Sequence, residues 1–254
     1  MSDFTWIEKK GYLINSIALK MGYTFAVSLK DSGSMSIDSL SSGDSNRKNF
    51  LKKLNLQGRT LVYGKQIHDD RIAVIKQNED SFFNTADKPF KNTYSFSETD
   101  GIVYDGTELC LGIFTADCLS IGIIDNVKNM ISLVHSGWRG SNKRILSKAV
   151  KNLLDMGSNI SDQLVFFGPS NQSCCYKVGT ELYKYFEKRF FNKTGSDVYF
   201  DNQDFNISLL EEYGFKKNQI FKNPYCTSCN NDVLYSYRAE GETTGRNMTV
   251  LCKN

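Results

Sequence analysis

Residues 115–140 read TADCLSIGIIDNVKNMISLVHSGWRG, and the two apolar runs inside them, Ile121–Ile124 and Ile131–Val134, decide how the chain folds. Both runs are short and rich in β-branched residues. Asp125, Asn126 and Asn129 lie between them, so they read as two buried strands joined as a hairpin. A hairpin returns the outer ends of its strands to one place. Cys118 stands just before the first run and His135 just after the second, so the two side chains are predicted to be neighbours. A thiolate and an imidazole at one sheet edge are ligands of the kind zinc takes. His68, the other of the chain's two histidines, follows the strand-like Thr60–Tyr63 within Gly64-Lys65-Gln66-Ile67-His68-Asp69-Asp70. Three ligands from His68, Cys118 and His135 would leave a fourth position open, as catalytic zinc sites do. Spacing alone leaves a plainer reading beside this one, in which the cysteine is a small buried hydrophobe and the histidines are hydrogen-bonded at strand ends.

Outward from this stretch, the 254 residues are 40% hydrophobic, enough to bury a sizeable core as one large domain or two small ones. The 31 basic and 28 acidic residues nearly balance, with no basic run, which argues against a nucleic-acid partner. No stretch approaches a membrane span, no apolar run suited to a signal peptide opens the chain, and the seven cysteines are odd in number. A cytoplasmic protein with reduced thiols, acting as a monomer, is the expectation. Apolar spacing predicts helices over Asn46–Asn55, from Ile145 to a stop at Gly157, over Thr180–Phe191 and over Phe205–Tyr213. Tyr23–Leu29, Leu164–Phe167 and Val233–Tyr237 read as strands, and Leu109–Phe114 leads back into the central stretch; Ser32–Asp44 and Gln77–Ser97 read as loops. The glycine-rich turn Gly137–Gly140 before the Ile145 helix reads as an anion seat with Arg139 beside it, or equally as a tight turn with a solvated arginine. Cys226-Thr227-Ser228-Cys229 is a CxxC. It could be half of a structural zinc site with Cys174 and Cys175, but the usual two CxxC pairs are absent. Cys226 and Cys229 are therefore expected to be reduced and to serve packing.

Six ordered words carry a resemblance: Gln66-Ile67-His68, Asp100-Gly101-Ile102-Val103, Thr115–Cys118, His135–Gly140, Gly168-Pro169-Ser170 with Cys174-Cys175-Tyr176, and Ser236-Tyr237-Arg238 with Thr244-Gly245-Arg246. Together they resemble the YfiH family, also called laccase-domain proteins, polyphenol oxidoreductases or peptidoglycan editing factors. The resemblance implies an α/β fold, a single-domain layered α/β/β/α sandwich with mixed sheets over residues 1–254. It implies that His68, Cys118 and His135 bind zinc. It also implies a purine nucleoside enzyme that splits adenosine, inosine or methylthioadenosine with phosphate and deaminates adenosine. On that reading Asp117 serves proton transfer or orients the ligand Cys118, and Arg139 and, less directly, Arg246 bind phosphate. The multicopper label does not suit the sequence: two histidines cannot supply a blue-copper site and a trinuclear cluster. The competing enzyme reading is a zinc amidohydrolase acting on peptidoglycan precursors. Ordinary zinc deaminases show an H-x-E signature that is absent here. A third reading, a metal-binding protein whose catalysis is weakened or lost, draws on three departures from the family pattern at Lys30, Asp69 and Ala239.

Overall fold

The computed structural model describes residues 5–37, 42–77 and 85–254. Its strands in chain order begin with β1 (Trp6–Lys9), β2 (Tyr12–Asn15), β3 (Tyr23–Ser28), β4 (Thr60–Gly64) and β5 (Ile72–Lys76). Next come β6 (Asp87–Phe90), β7 (Thr93–Phe96), β8 (Gly101–Asp105), β9 (Leu109–Thr115), β10 (Leu119–Asp125), β11 (Met130–Ser136) and β12 (Gln163–Phe167). The last five are β13 (Lys177–Val178), β14 (Phe191–Thr194), β15 (Asp197–Phe200), β16 (Ile220–Phe221) and β17 (Asn247–Lys253). An eight-stranded mixed sheet has the order β1-β2-β3-β17-β9-β4-β7-β6, and a six-stranded mixed sheet the order β16-β12-β10-β11-β8-β5. A small antiparallel sheet, β13-β15-β14, stands apart from both.

The hairpin is as the sequence predicts. β10 and β11 pair antiparallel with Leu119 opposite Ser136 and Ser120 opposite His135, and every residue of both strands is buried. Strands buried on both faces need a layer on each side. Alternation along the strands supplies it. Ile124, Ile131 and Leu133 of the six-stranded sheet meet Phe25, Val62, Leu111, Ile113 and Leu251 of the eight-stranded sheet in one core between the sheets. Phe25 and Phe166 touch across this interface with ring centroids 5.8 Å apart. On the outer face of the six-stranded sheet, Leu119, Ile121, Ile123 and Val134 pack under the helix Ile145–Asp155, through its Ile145, Leu146, Ala149, Val150 and Leu153. On the outer face of the eight-stranded sheet, Phe50, Leu51 and Leu54 of the helix Ser42–Lys53 and the residues just after it cover Tyr63, Cys110, Met248 and Val250. The layers run helix, sheet, sheet, helix, as the resemblance implies.

Several local expectations give way. Within 77–97, β6 and β7 form strands: β7 pairs parallel with β4, and Pro89 is tolerated because β6 is an edge strand. Residues 78–84 of that stretch, and 38–41 of the expected 32–44 loop, lie outside the described residues. The expected helix over 180–191 is two 3₁₀ segments, Thr180–Lys184 and Lys188–Phe190, running into β14; Leu182, Phe186 and Phe190 cluster with Phe200 in place of a helical stripe. Residues 233–237 are not a strand; they lead into the short helix Tyr237–Glu240. The strand lies further on, as β17, held between β3 and β9. The Gly137 turn opens a five-residue helix, Trp138–Asn142, and not the Ile145 helix, which starts after Arg144 in the left-handed region at φ 59°. The 205–213 helix is present as Asn202–Glu212.

Topology sets the site. Three times the chain leaves the eight-stranded sheet and enters the six-stranded one: from β4 to β5, from β7 to β8 and from β9 to β10. His68 lies in the first crossing, Asp100 in the second, and Asp117 and Cys118 in the third. The sheets approach closely beside the hairpin. A Cβ built on Gly122 of β10 would stand 2.8 Å from the ring of Phe25, which is fully buried and cannot swing away. Gly122→Val should therefore destabilise the protein by about 1–3 kcal/mol through overpacking, read as a lower midpoint in urea unfolding. An unchanged midpoint would mean that the sheets can separate without cost.

Candidate active site

Asp100 is fully buried and accepts four donors. Its Oδ1 takes the His68 N–H at 2.9 Å and faces His135 Nδ1 at 2.8 Å; its Oδ2 takes the N–H groups of Ile67 at 3.0 Å and Asp69 at 3.1 Å. The same residue's carbonyl accepts the His135 N–H at 2.7 Å. A carboxylate can only accept, so His135 donates from Nδ1, and Nε2 is the ring nitrogen that a metal would take up by displacing its proton. Burial alone would raise the Asp100 carboxyl, but the His135 hydrogen bond and charge, with the backbone N–H groups, hold it below the ordinary carboxylate range. His68 sits in the left-handed region at φ 62°, a conformation that costs a non-glycine residue and is held here by the N–H bonds on both sides of it.

The three predicted ligands converge. One donor atom each of His68, Cys118 and His135 lies within 4.8 Å of the other two, and the imidazole rings meet edge to face with centroids 4.9 Å apart. His135 is buried, Cys118 partly so, and His68 is exposed. Burial would raise the Cys118 thiol, yet the charge and hydrogen bond of His135, with those of His68, bring it down to about 6. Burial would lower His135, yet the Cys118 charge and the Asp100 hydrogen bond push it up to about 9. A cysteine held as thiolate beside two imidazoles is a donor set of the type that suits zinc, with one side open to a cavity.

That cavity is about 690 Å³ in volume. The three ligands, Gln66, Phe114, Asp117, Asn171, Tyr176, Asn202, Arg238 and Arg246 are among its lining residues. Asp117, strained at φ 90°, accepts Thr227 Oγ1 and Ser236 Oγ at 2.6 Å each on Oδ1, and the Arg238 N–H at 2.6 Å on Oδ2. Engaged on three sides, its carboxylate pins the backbone just before Cys118. Arg246 lines the cavity, as does Arg238, whose part in the site the sequence reading did not assign. Arg139 does not line it: its guanidinium lies 4.4 Å from the Trp138 ring centroid, exposed on the rim, while its charge still reaches the Tyr176 hydroxyl. Lys30, at a family departure, bonds Glu240 at 2.7 Å and the Asn231 carbonyl, away from the cavity lining. Asp69, another departure, pairs with Lys143 just beyond the Trp138–Asn142 helix. Ala239 is exposed.

Sequence reasoning passed over Asp100, although Asp100-Gly101-Ile102-Val103 was one of the matching words. It also raised a shared site for Cys174, Cys175, Cys226 and Cys229 but preferred a packing role; in the structure their sulfurs all lie within 4.8 Å of one another.

With this geometry in view, comparison with known proteins is direct. A family model described as multi-copper polyphenol oxidoreductase laccase matches residues 27–254. The chain belongs to this family. It is 34% identical over 190 residues to a protein of Borreliella burgdorferi named purine nucleoside phosphorylase, covering 72% of this chain and 75% of that one. It is 31% identical over 215 residues to the Clostridium acetobutylicum purine nucleoside phosphorylase CA_C1699, covering 83% and 84%. A third relative, 28% identical over 214 residues and covering 81% and 79%, is adenosine deaminase RL5 from an unknown prokaryotic organism. Among solved structures, the Bacillus licheniformis hypothetical protein YfiH superposes with a TM-score of 0.87 at 22% identity, covering 99% of this chain and 100% of that one. YlmD from Geobacillus stearothermophilus gives 0.87 at 21% identity, covering 98% and 99%. Among the described residues no helix is long and apolar enough to cross a membrane.

Gly137 gives a test of the donor geometry. A Cβ there would stand 3.1 Å from Cys118 Sγ, 3.6 Å from His68 and 3.8 Å from His135, while its φ of −67° suits any residue. Gly137→Ala should therefore weaken metal binding about tenfold or more by displacing ligands, with little change in the unfolding midpoint. Chelator competition measures it. Unchanged affinity would show that the three side chains do not need that space.

Proposed function

We propose that this protein is a zinc-dependent purine nucleoside phosphorylase, acting on adenosine, inosine and S-methyl-5′-thioadenosine, with adenosine deamination as a side activity. The observation that carries this reading is a set of one thiolate and two imidazoles at a cavity that also holds two arginines, Arg238 and Arg246. The names of the relatives support it. His68, Cys118 and His135 would hold the zinc, which supplies Lewis acidity at the cavity floor. Zinc is preferred to copper because all the histidines of this chain are spent on one three-ligand group.

The remaining roles belong to the chain. Phosphorolysis forms a bond from a phosphate oxygen to the sugar C1′ as the bond from C1′ to the base nitrogen breaks and its electron pair leaves with the base. Phosphate must be desolvated and aimed at C1′, which calls for fixed cations. Arg246, whose Nη1 bonds the Thr244 and Gly245 carbonyls at 3.2 and 3.0 Å, is held in place for this. Arg238 is held likewise by the Lys177 carbonyl at 2.8 Å, and Arg139 adds positive charge from the rim. Phe114, Ile37 and Tyr237 offer apolar surface to a purine. Asp117 fixes the Cys118 loop and the backbone of Arg238 together, so it couples the metal ligands to the anion site.

A product assay on adenosine, with and without phosphate, tests the reading. Adenine and ribose 1-phosphate should appear only with phosphate. Arg246→Ala should raise the half-saturating phosphate concentration about 10–100-fold, the cost of one lost charge-assisted contact, and spare inosine formation, which uses water. Arg139→Ala should have the smaller effect on phosphate. Release of adenine without phosphate, or no reaction with any of the three nucleosides, would overturn the proposal.

A further inference from the structure

Two turns far apart in sequence meet at the four thiols. Cys174 and Cys175 sit in a turn closed by the N–H groups of Cys175 and Tyr176 on the Gln172 carbonyl, at 2.8 and 2.7 Å. Cys226 and Cys229 sit in a second turn, closed by the Asn230 N–H on the Cys226 carbonyl at 3.0 Å. The turns are joined by the Ser170–Cys226 bridge and by the Thr227 N–H on the Ser170 carbonyl at 3.0 Å. Cys229 Sγ lies 3.4 Å from Cys175 Sγ and 3.6 Å from Cys174 Sγ, all four sulfurs fall within 4.8 Å of one another, and all four cysteines are free.

Four thiolates bound to one zinc at bonds of about 2.3 Å stand about 3.8 Å apart in a tetrahedron. The Cys229 distances fall a few tenths of an ångström short of that value, and no pair exceeds 4.8 Å. Cys226 is the buried member of the set, and two turns distant in sequence bring the four sulfurs to one point. Nothing in the packing requires this, because Cys174 and Cys229 are exposed and contribute little to a core.

We infer that Cys174, Cys175, Cys226 and Cys229 form a second, structural zinc site, separate from the His68–Cys118–His135 group. Four protein ligands close the coordination sphere, so the site binds without offering a position to substrate. Binding releases the thiol protons to solvent as the four sulfurs take up the cation. Its position explains its use. Thr227, inside the CxxC turn, donates to Asp117, the Asn171 N–H donates to the Asp117 carbonyl at 2.8 Å, and Tyr176, next to Cys175, lines the cavity. A metal that ties the two turns together fixes one wall of the active site.

The test is metal analysis of protein purified under reducing conditions without chelator. The intact chain should carry about two zinc ions, and Cys174→Ser/Cys229→Ser should carry about one, still bound by the other group. Cys118→Ala/His135→Ala should also keep about one. Because those variants could fold poorly, cobalt is loaded into the intact protein and into Cys118→Ala/His135→Ala. Both should show the intense near-ultraviolet charge-transfer absorption of four thiolates on cobalt. A single zinc lost on Cys118→Ala/His135→Ala, iron in place of zinc, or a disulfide between any two of the four cysteines would overturn the assignment.

Discussion

One buried carboxylate organises the candidate active site. Asp100 receives three consecutive backbone N–H groups from the first sheet-to-sheet crossing and the imidazole of His135 from the end of the hairpin. A buried charge is tolerated only when its lone pairs are filled, and here they are filled by the segments that must be held together. The N–H bonds impose the left-handed turn at His68, and the imidazole bond leaves the other nitrogen of His135 for a metal. Asp117 plays a parallel part in the third crossing, where three donors hold its carboxylate and keep Cys118 in register. Two acids that themselves ligate nothing thus set the positions of all three candidate ligands.

The sandwich explains why such residues collect at one end. β4, β7 and β9 run parallel and leave the eight-stranded sheet at one end, and β5, β8 and β10 enter the six-stranded sheet at one end, so polar, short connections converge where the hairpin also ends. Loops carry chemistry best when rigid strands fix both of their ends. The core between the sheets, with Gly122 beneath Phe25, supplies that rigidity. The cavity wall opposite is made by the two cysteine turns and the short helix Tyr237–Glu240, which lack a sheet of their own and depend on hydrogen bonds to Asp117.

Much of this was legible in the sequence because the decisive elements are local. A hairpin needs only two β-branched runs and a turn, and once it is granted Cys118 and His135 must meet. Elements whose identity is tertiary were not legible. Asn247–Lys253 is a short run that becomes a strand by insertion between β3 and β9, whereas Val233–Tyr237 looks as apolar and finds no partner strand. Leu182, Phe186 and Phe190 have helical spacing, yet they pack as a hydrophobic cluster around Phe200 of β15. Arg139 beside a glycine turn looked better placed than Arg246, yet Arg246 lines the cavity while Arg139 lies exposed against the Trp138 ring. Asp100 gave no local sign, since a carboxylate before a strand is ordinary until its four donors are seen. The four-thiol cluster could be named from the sequence but not preferred, since a Cys-Cys pair and a lone CxxC fall short of the usual two CxxC pairs.

The account stands most directly on the zinc affinity of Asp100→Asn. An amide keeps the size of the carboxylate but turns one acceptor into a donor, which then faces an N–H group or the His135 ring whichever way it is flipped. Competition with a calibrated chelator should show zinc at the His68–Cys118–His135 group bound about 10–100-fold more weakly, in a protein that remains folded by circular dichroism. Unchanged affinity at that group in a folded Asp100→Asn protein would contradict the claim that this carboxylate sets the ligands in place.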